Sequence, residues 1–114
     1  MMSQRSELTV EEWRRVAKPR TRKEQPETPI RRAIRDFLQL HGWKVTRIVQ
    51  SALSEKGIPD LVAIREGHHV WIEVKAPKGR LSEDQERWLQ DLENHGGHYI
   101  VARSVEDVEH LAQR

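Results

Sequence analysis

From Thr28 onward, apolar and polar positions change period at each turn signal. Ile30, Ala33, Ile34, Phe37 and Leu38 fall at i, i+3, i+4, i+7 and i+8, one face of a helix that Gly42 ends. Trp43–Val49 then predicts a strand with Trp43, Val45 and Arg47 on one side and Lys44, Thr46 and Ile48 on the other. A polar loop follows at Ser51–Gly57. Two more strands, Asp60–Arg65 and His69–Ala76, meet at Glu66-Gly67. Ser82-Glu83-Asp84-Gln85 has the form of a capping box, with Trp88, Leu89 and Leu92 as an apolar helical stripe behind it. Gly96-Gly97 closes that helix, His98–Ala102 reads as a short strand, and Ser104 caps a last helix bearing Val105, Val108 and Leu111. Helix, three strands, helix, strand, helix predicts an α/β sandwich around a small mixed sheet.

Composition narrows the class. At 114 residues the chain has room for one small core, and with 36% hydrophobic and 33% charged residues it is a globular domain with a heavily charged surface. The absence of cysteine excludes a disulfide framework, Cys-ligated zinc and thiol catalysis. No apolar run approaches the roughly 20 residues that span a bilayer, and the polar N-terminus lacks a signal-peptide core; the expectation is a cytoplasmic protein, on the nucleoid or in the nucleus if eukaryotic, with no membrane partner.

The formal net charge of +2 hides an asymmetry. Arg14, Arg15, Lys18, Arg20, Arg22 and Lys23 stand together without an acid, and Pro26 and Pro29 close the stretch. Residues 1–25 therefore read as a basic arm, with room for a short helix at Thr9–Ala17, ahead of a domain over 26–114. Such an arm is either a polyanion-binding segment or a solvated tail.

The candidate chemistry sits on the central hairpin. A two-residue loop at Glu66-Gly67 sets Leu61 opposite Ile72, Ala63 opposite Val70 and Asp60 opposite Glu73. Leu61, Ala63, Val70, Ile72 and Val74 then share the core face, while Asp60, Val62, Trp71, Glu73 and Lys75 share the other. Two facing carboxylates about 5 Å apart repel, and a divalent cation offsets that repulsion. Lys75, on the same face, can stabilise developing negative charge or hold an attacking water, as phosphodiester hydrolysis requires. A Glu-x-Lys triplet alone is weak evidence, and the bland reading is an exposed ion pair. An Asp on the facing strand, introduced by Gly57-Ile58-Pro59, strengthens it.

Gly57-Ile58-Pro59-Asp60-Leu61-Val62, Ile72-Glu73-Val74-Lys75-Ala76 and Gly79-Arg80-Leu81-Ser82-x-x-Gln85, in this order and spacing, resemble the VRR-NUC family of the PD-(D/E)xK nuclease superfamily. The resemblance runs from Glu27 to Leu111. It implies a restriction-endonuclease-like αβββαβ core, a Mg²⁺- or Mn²⁺-dependent endodeoxyribonuclease, Asp60 and Glu73 as metal ligands, and Lys75 as the catalytic lysine. Gln85 matches the family's glutamine on the following helix, and Glu27 its first-helix glutamate, a further metal ligand. Stand-alone members resemble Holliday-junction resolvases, which implies a homodimer on branched DNA. A flap- or end-directed nuclease of the same family and a non-catalytic DNA-binding module are the alternatives.

Local chemistry competes for two of these residues. Gln85 occupies the third helical position after Ser82, where it can close the capping box. Glu27 lies outside the helix if Thr28 is the N-cap with Pro29 at N1, or within it if the helix starts near Pro26. Lys56, Lys78 and Arg80 flank the metal edge as candidate phosphate contacts, and Lys44 and Arg47 extend that surface. Arg31, Arg32 and Arg35 read as exposed helix charge or a further part of it. Trp88 falls on the core stripe and Trp71 on the metal face. The histidine pairs His68-His69 and His95/His98 read as surface residues.

Overall fold

A computed structural model describes Thr9 and residues 27–51 and 54–113. The basic arm, and with it the short helix expected there, lies outside the described residues, apart from Thr9. Helix α1 (Pro29–Leu40) starts on Thr28, whose hydroxyl accepts the Arg31 N–H at 3.1 Å, with Pro29 at the first helical position. Glu27 is thus outside the helix, the first of the two arrangements above. Strands β1 (Lys44–Arg47), β2 (Leu61–Arg65) and β3 (His68–Val74) follow, then α2 (Glu83–Asn94) and β4 (Tyr99–Ala102). A 3-10 helix over Val105–Ala112 comes last.

The sheet order is β1-β2-β3-β4, antiparallel across the first two pairs and parallel between β3 and β4. A parallel neighbour needs a crossover, and α2 supplies it. The β2–β3 register is the expected one, with Leu61 opposite Ile72, Val62 opposite Trp71 and Ala63 opposite Val70. The loop explains this. Glu66 and Gly67 both have positive φ (52° and 84°), the two left-handed residues of a type I′ turn, which joins adjacent strands with no spare residue.

Ile34 and Leu38 of α1, Leu61, Ala63, Val70 and Ile72 of the hairpin, Ala102 and Val108 form one buried cluster with Trp43. Each large aliphatic side chain in it contributes roughly 1.5–3 kcal/mol by leaving water. On the opposite sheet face α2 lays Trp88 against Trp71, with ring centroids 5.0 Å apart. Helices therefore cover both faces of a mixed sheet, the α/β architecture predicted.

The last element departs from expectation in two ways. It is a 3-10 helix, and Ser104 makes no side-chain cap bond. Instead the Asp107 carboxylate accepts the Arg103 N–H at 2.8 Å. Val105, Val108 and Leu111 recur every third residue, which aligns them on one side of a helix of three residues per turn.

Candidate active site

The site lies where β2 begins and β3 ends. Pro59 is buried at the strand entrance, and Asp60 immediately precedes the first ladder residue, Leu61. One carboxylate oxygen of Asp60, Oδ2, accepts the Val74 backbone N–H at 2.8 Å. The other, Oδ1, receives the Arg31 guanidinium at 3.2 Å. Asp60 therefore bridges the hairpin to α1.

Glu73 is 3% exposed, the only buried charged residue among those described, because β3 is an inner strand with α2 packed over this face. Its Oε2 accepts the Gln85 amide at 3.0 Å and stands 3.6 Å from Lys75 Nζ. Burial foremost, and then the charge of Asp60, push the Glu73 carboxyl from 4.5 up to about 7, against the lowering influence of Lys75. Burial and the neighbouring Asp60 charge thus outweigh Lys75 at this carboxyl.

Gln85 closes the capping box and also reaches Glu73. Its Oε1 accepts the Ser82 N–H at 2.8 Å, and Ser82 Oγ accepts the Gln85 N–H at 3.1 Å, closing the capping box. Its Nε2 remains for Glu73. One amide group fixes both the start of α2 and the carboxylate beside it.

The surrounding loops are held against this edge. Gly57 (φ +86°) packs directly on the α2 backbone, where a β-carbon would collide with the Asp84 carbonyl. Only glycine tolerates both the conformation and the approach. Lys56 beside it is exposed and lines an open cleft of about 500 Å³ with Asp84, Arg87 and Trp88. Trp88 is fixed there by donating to Glu55 at 2.6 Å. Across the site Arg103 donates to the Gly79 carbonyl at 2.8 Å, anchoring the turn that presents Lys78 and Arg80 to solvent. Lys44 is exposed on the edge strand and Arg47 is half-buried.

The helix arginines divide. Arg32 is largely exposed, as a surface charge should be, whereas Arg31 and Arg35 turn inward. Arg35 holds Glu27 Oε1 at 2.9 Å, with Arg32 at 3.9 Å, and Glu27 Oε2 is buried without a hydrogen-bond partner. The Arg31 contact was not expected from sequence. Its available signal was the spacing by four of Arg31 and Arg35, which sets them in a row beside the apolar stripe.

Comparison with known families matches residues 22–106 to the VRR-NUC domain, most of the chain and all three motifs. The chain belongs to the VRR-NUC family. Comparison with curated proteins and with solved structures gives no match. As a VRR-NUC domain it is a nuclease domain, and its mixed sheet with flanking helices is the restriction-endonuclease-like core. No helix among the described residues is long and apolar enough to cross a membrane.

The VRR-NUC site has a donor set suited to a hard divalent cation. Two carboxylates face each other, one with its proton affinity raised, and Glu27 Oε2 is a buried acceptor without a partner. Among the described residues, no three His, Cys, Asp or Glu side chains are gathered closely enough to enclose an ion. Glu27 is therefore not brought together with Asp60 and Glu73, and any ion there has two carboxylates, its other positions left to water and substrate phosphate.

Proposed function

We propose that this VRR-NUC domain is a Mg²⁺- or Mn²⁺-dependent endonuclease that hydrolyses phosphodiester bonds in branched DNA, four-way junctions first, as a homodimer in the cytoplasm or nucleus. The observation that carries the reading is the convergence of Asp60, Glu73, Lys75 and Gln85 on one sheet edge, with a Lys75–Glu73 separation of 3.6 Å.

Asp60 and Glu73 would hold the ion; Glu27, a further ligand by the family's pattern, is held by Arg35 and is not gathered with them. Bound there, Mg²⁺ or Mn²⁺ supplies Lewis-acid polarisation of a phosphoryl oxygen and makes water a better nucleophile at neutral pH. The chain's own groups do the rest. Val74 N–H and Gln85 Nε2 fix the two carboxylates, so their lone pairs keep one orientation. Lys75 Nζ, 19% exposed, places a positive charge where a phosphate oxygen gains negative charge, or holds the attacking water. Lys56, Lys78 and Arg80 carry the DNA backbone on both sides, with Lys44 and Arg47 extending the track. The water oxygen bonds to phosphorus and releases a proton to solvent, the bridging P–O bond breaks, and the departing oxygen gains a proton from solvent.

One domain presents one such site. Paired incision of a four-way junction takes two sites related by a twofold axis. The test is a panel of labelled four-way junction, 5′-flap, gapped, linear and single-stranded DNA with Mg²⁺ or Mn²⁺, run beside light scattering. The expected result is paired junction cleavage by a dimer. Preference for flaps or ends would assign the alternative specificity within the family, and DNA binding without cleavage of any substrate would make the domain a binding module.

A further inference from the structure

Arg31 contributes charge to the site without being needed to shape it. Asp60 already has its orientation from the Val74 N–H on Oδ2, so the Arg31 contact on Oδ1 is additional to the restraint that aims the carboxylate. The pair is 15% and 18% exposed, far enough from water for its attraction to survive screening. Yet the guanidinium is poorly satisfied. Arg31 Nε is buried with no hydrogen-bond partner, as is Arg35 Nε on the next turn of the same helix row. A buried arginine kept for stability normally has its donors paired, because each unpaired one carries a desolvation cost. This arrangement is weakly held, on the one oxygen of Asp60 that the backbone leaves free.

The Arg31 guanidinium is a cation with donors only. It meets an incoming divalent cation both as a competitor for Oδ1 and as a like charge. We propose that Arg31 is the built-in counter-cation of Asp60, which a divalent ion must displace, and that Arg31 thereby sets the metal affinity of the site. The proposal rests on the metal-binding reading above and goes beyond it by making α1 a restraint on metal loading. Arg31 is a positioning residue in this role, acting on the ion through Asp60.

Attraction between charges at this separation, partly shielded from water, is worth roughly one to two powers of ten in an equilibrium constant. The test is Mn²⁺ binding, read as free Mn²⁺ by electron paramagnetic resonance, for the full chain and for Arg31→Gln and Arg31→Lys without DNA. Arg31→Gln is expected to bind Mn²⁺ about tenfold or more tightly, and Arg31→Lys, which keeps the charge, to stay near wild type. A purely structural arginine would not produce a gain. Unchanged or weaker binding by folded Arg31→Gln, with wild type still binding, overturns the inference alone; no binding by any of the three overturns the metal reading and the inference with it. A second measurement needs no variant to fold. In wild type titrated with Mg²⁺, the Arg31 Nε–Hε resonance should shift as the site fills. Its constancy while the Val74 amide shifts would contradict displacement.

Discussion

Lys75→Met is expected to lower metal-dependent DNA cleavage by about a thousandfold while leaving fold and DNA affinity close to wild type. The side chain is 19% exposed and its ammonium touches Glu73 alone among the contacts described, at 3.6 Å. Methionine keeps most of the aliphatic stem that lies along β3, so packing changes little. The backbone of Lys75 donates to the Ala102 carbonyl at 2.9 Å and continues the β3–β4 pairing whatever side chain it carries. What disappears is one positive charge beside the reacting phosphate. Loss of a single preorganised group that stabilises transition-state charge costs roughly 10²–10³-fold in rate, and loss of water positioning adds to it. Single-turnover cleavage of the best substrate in the panel, with binding measured separately at the same salt, separates a rate effect from an affinity effect. A variant that cuts at the wild-type rate would remove Lys75 from the chemistry. Glu73 also loses its lowering partner in this variant, so weaker Mn²⁺ binding by it would be inconsistent with the charge balance described.

The second large effect is on stability. In the metal-free protein Glu73 titrates near 7, whereas an unfolded chain presents it at about 4.5. The folded state therefore binds this proton more tightly than the unfolded state. Its contribution to stability is fully present below pH 4.5 and is lost as the pH rises through 7. From this group alone, folding should weaken by about 3 kcal/mol between pH 4.5 and 8. Glu73→Gln is isosteric, cannot ionise, and offers an oxygen to the Gln85 amide. It should remove that part of the pH dependence and make the metal-free domain more stable than wild type at pH 8. Urea unfolding of both proteins in EDTA at pH 5 and pH 8 reads the difference directly, because other titrating groups are common to the two. Parallel pH profiles would mean that Glu73 is already charged in the folded protein without cost. A bound divalent ion should restore wild-type stability at pH 8, since it binds the folded state and favours the ionised pair.

These effects trace back to features of unequal legibility in the sequence. The register of the hairpin was readable because a two-residue loop allows no slippage and strand side chains alternate, so Asp60 and Glu73 had to share a face. Gln85 was readable from its spacing after Ser82, though its two simultaneous bonds were not. The burial of Glu73 depends on α2 crossing above β3, a tertiary contact that local pattern does not encode. For the same reason Arg31 looked like ordinary surface charge. Its reach to Asp60 depends on how α1 lies against the hairpin, and only the four-residue spacing to Arg35 hinted at a common row. The 3-10 geometry of the last helix was implicit in the three-residue recurrence of Val105, Val108 and Leu111, a period that an α-helical reading also accommodates.

The central claim is that Asp60 and Glu73 together hold the divalent ion that serves DNA cleavage. Its most direct test is an anomalous difference map from crystals of the domain soaked in Mn²⁺. One strong peak between the two carboxylates, lost in Asp60→Asn crystals, is the expected result. A peak elsewhere on the domain, or none at Mn²⁺ concentrations that support cleavage in solution, would contradict it.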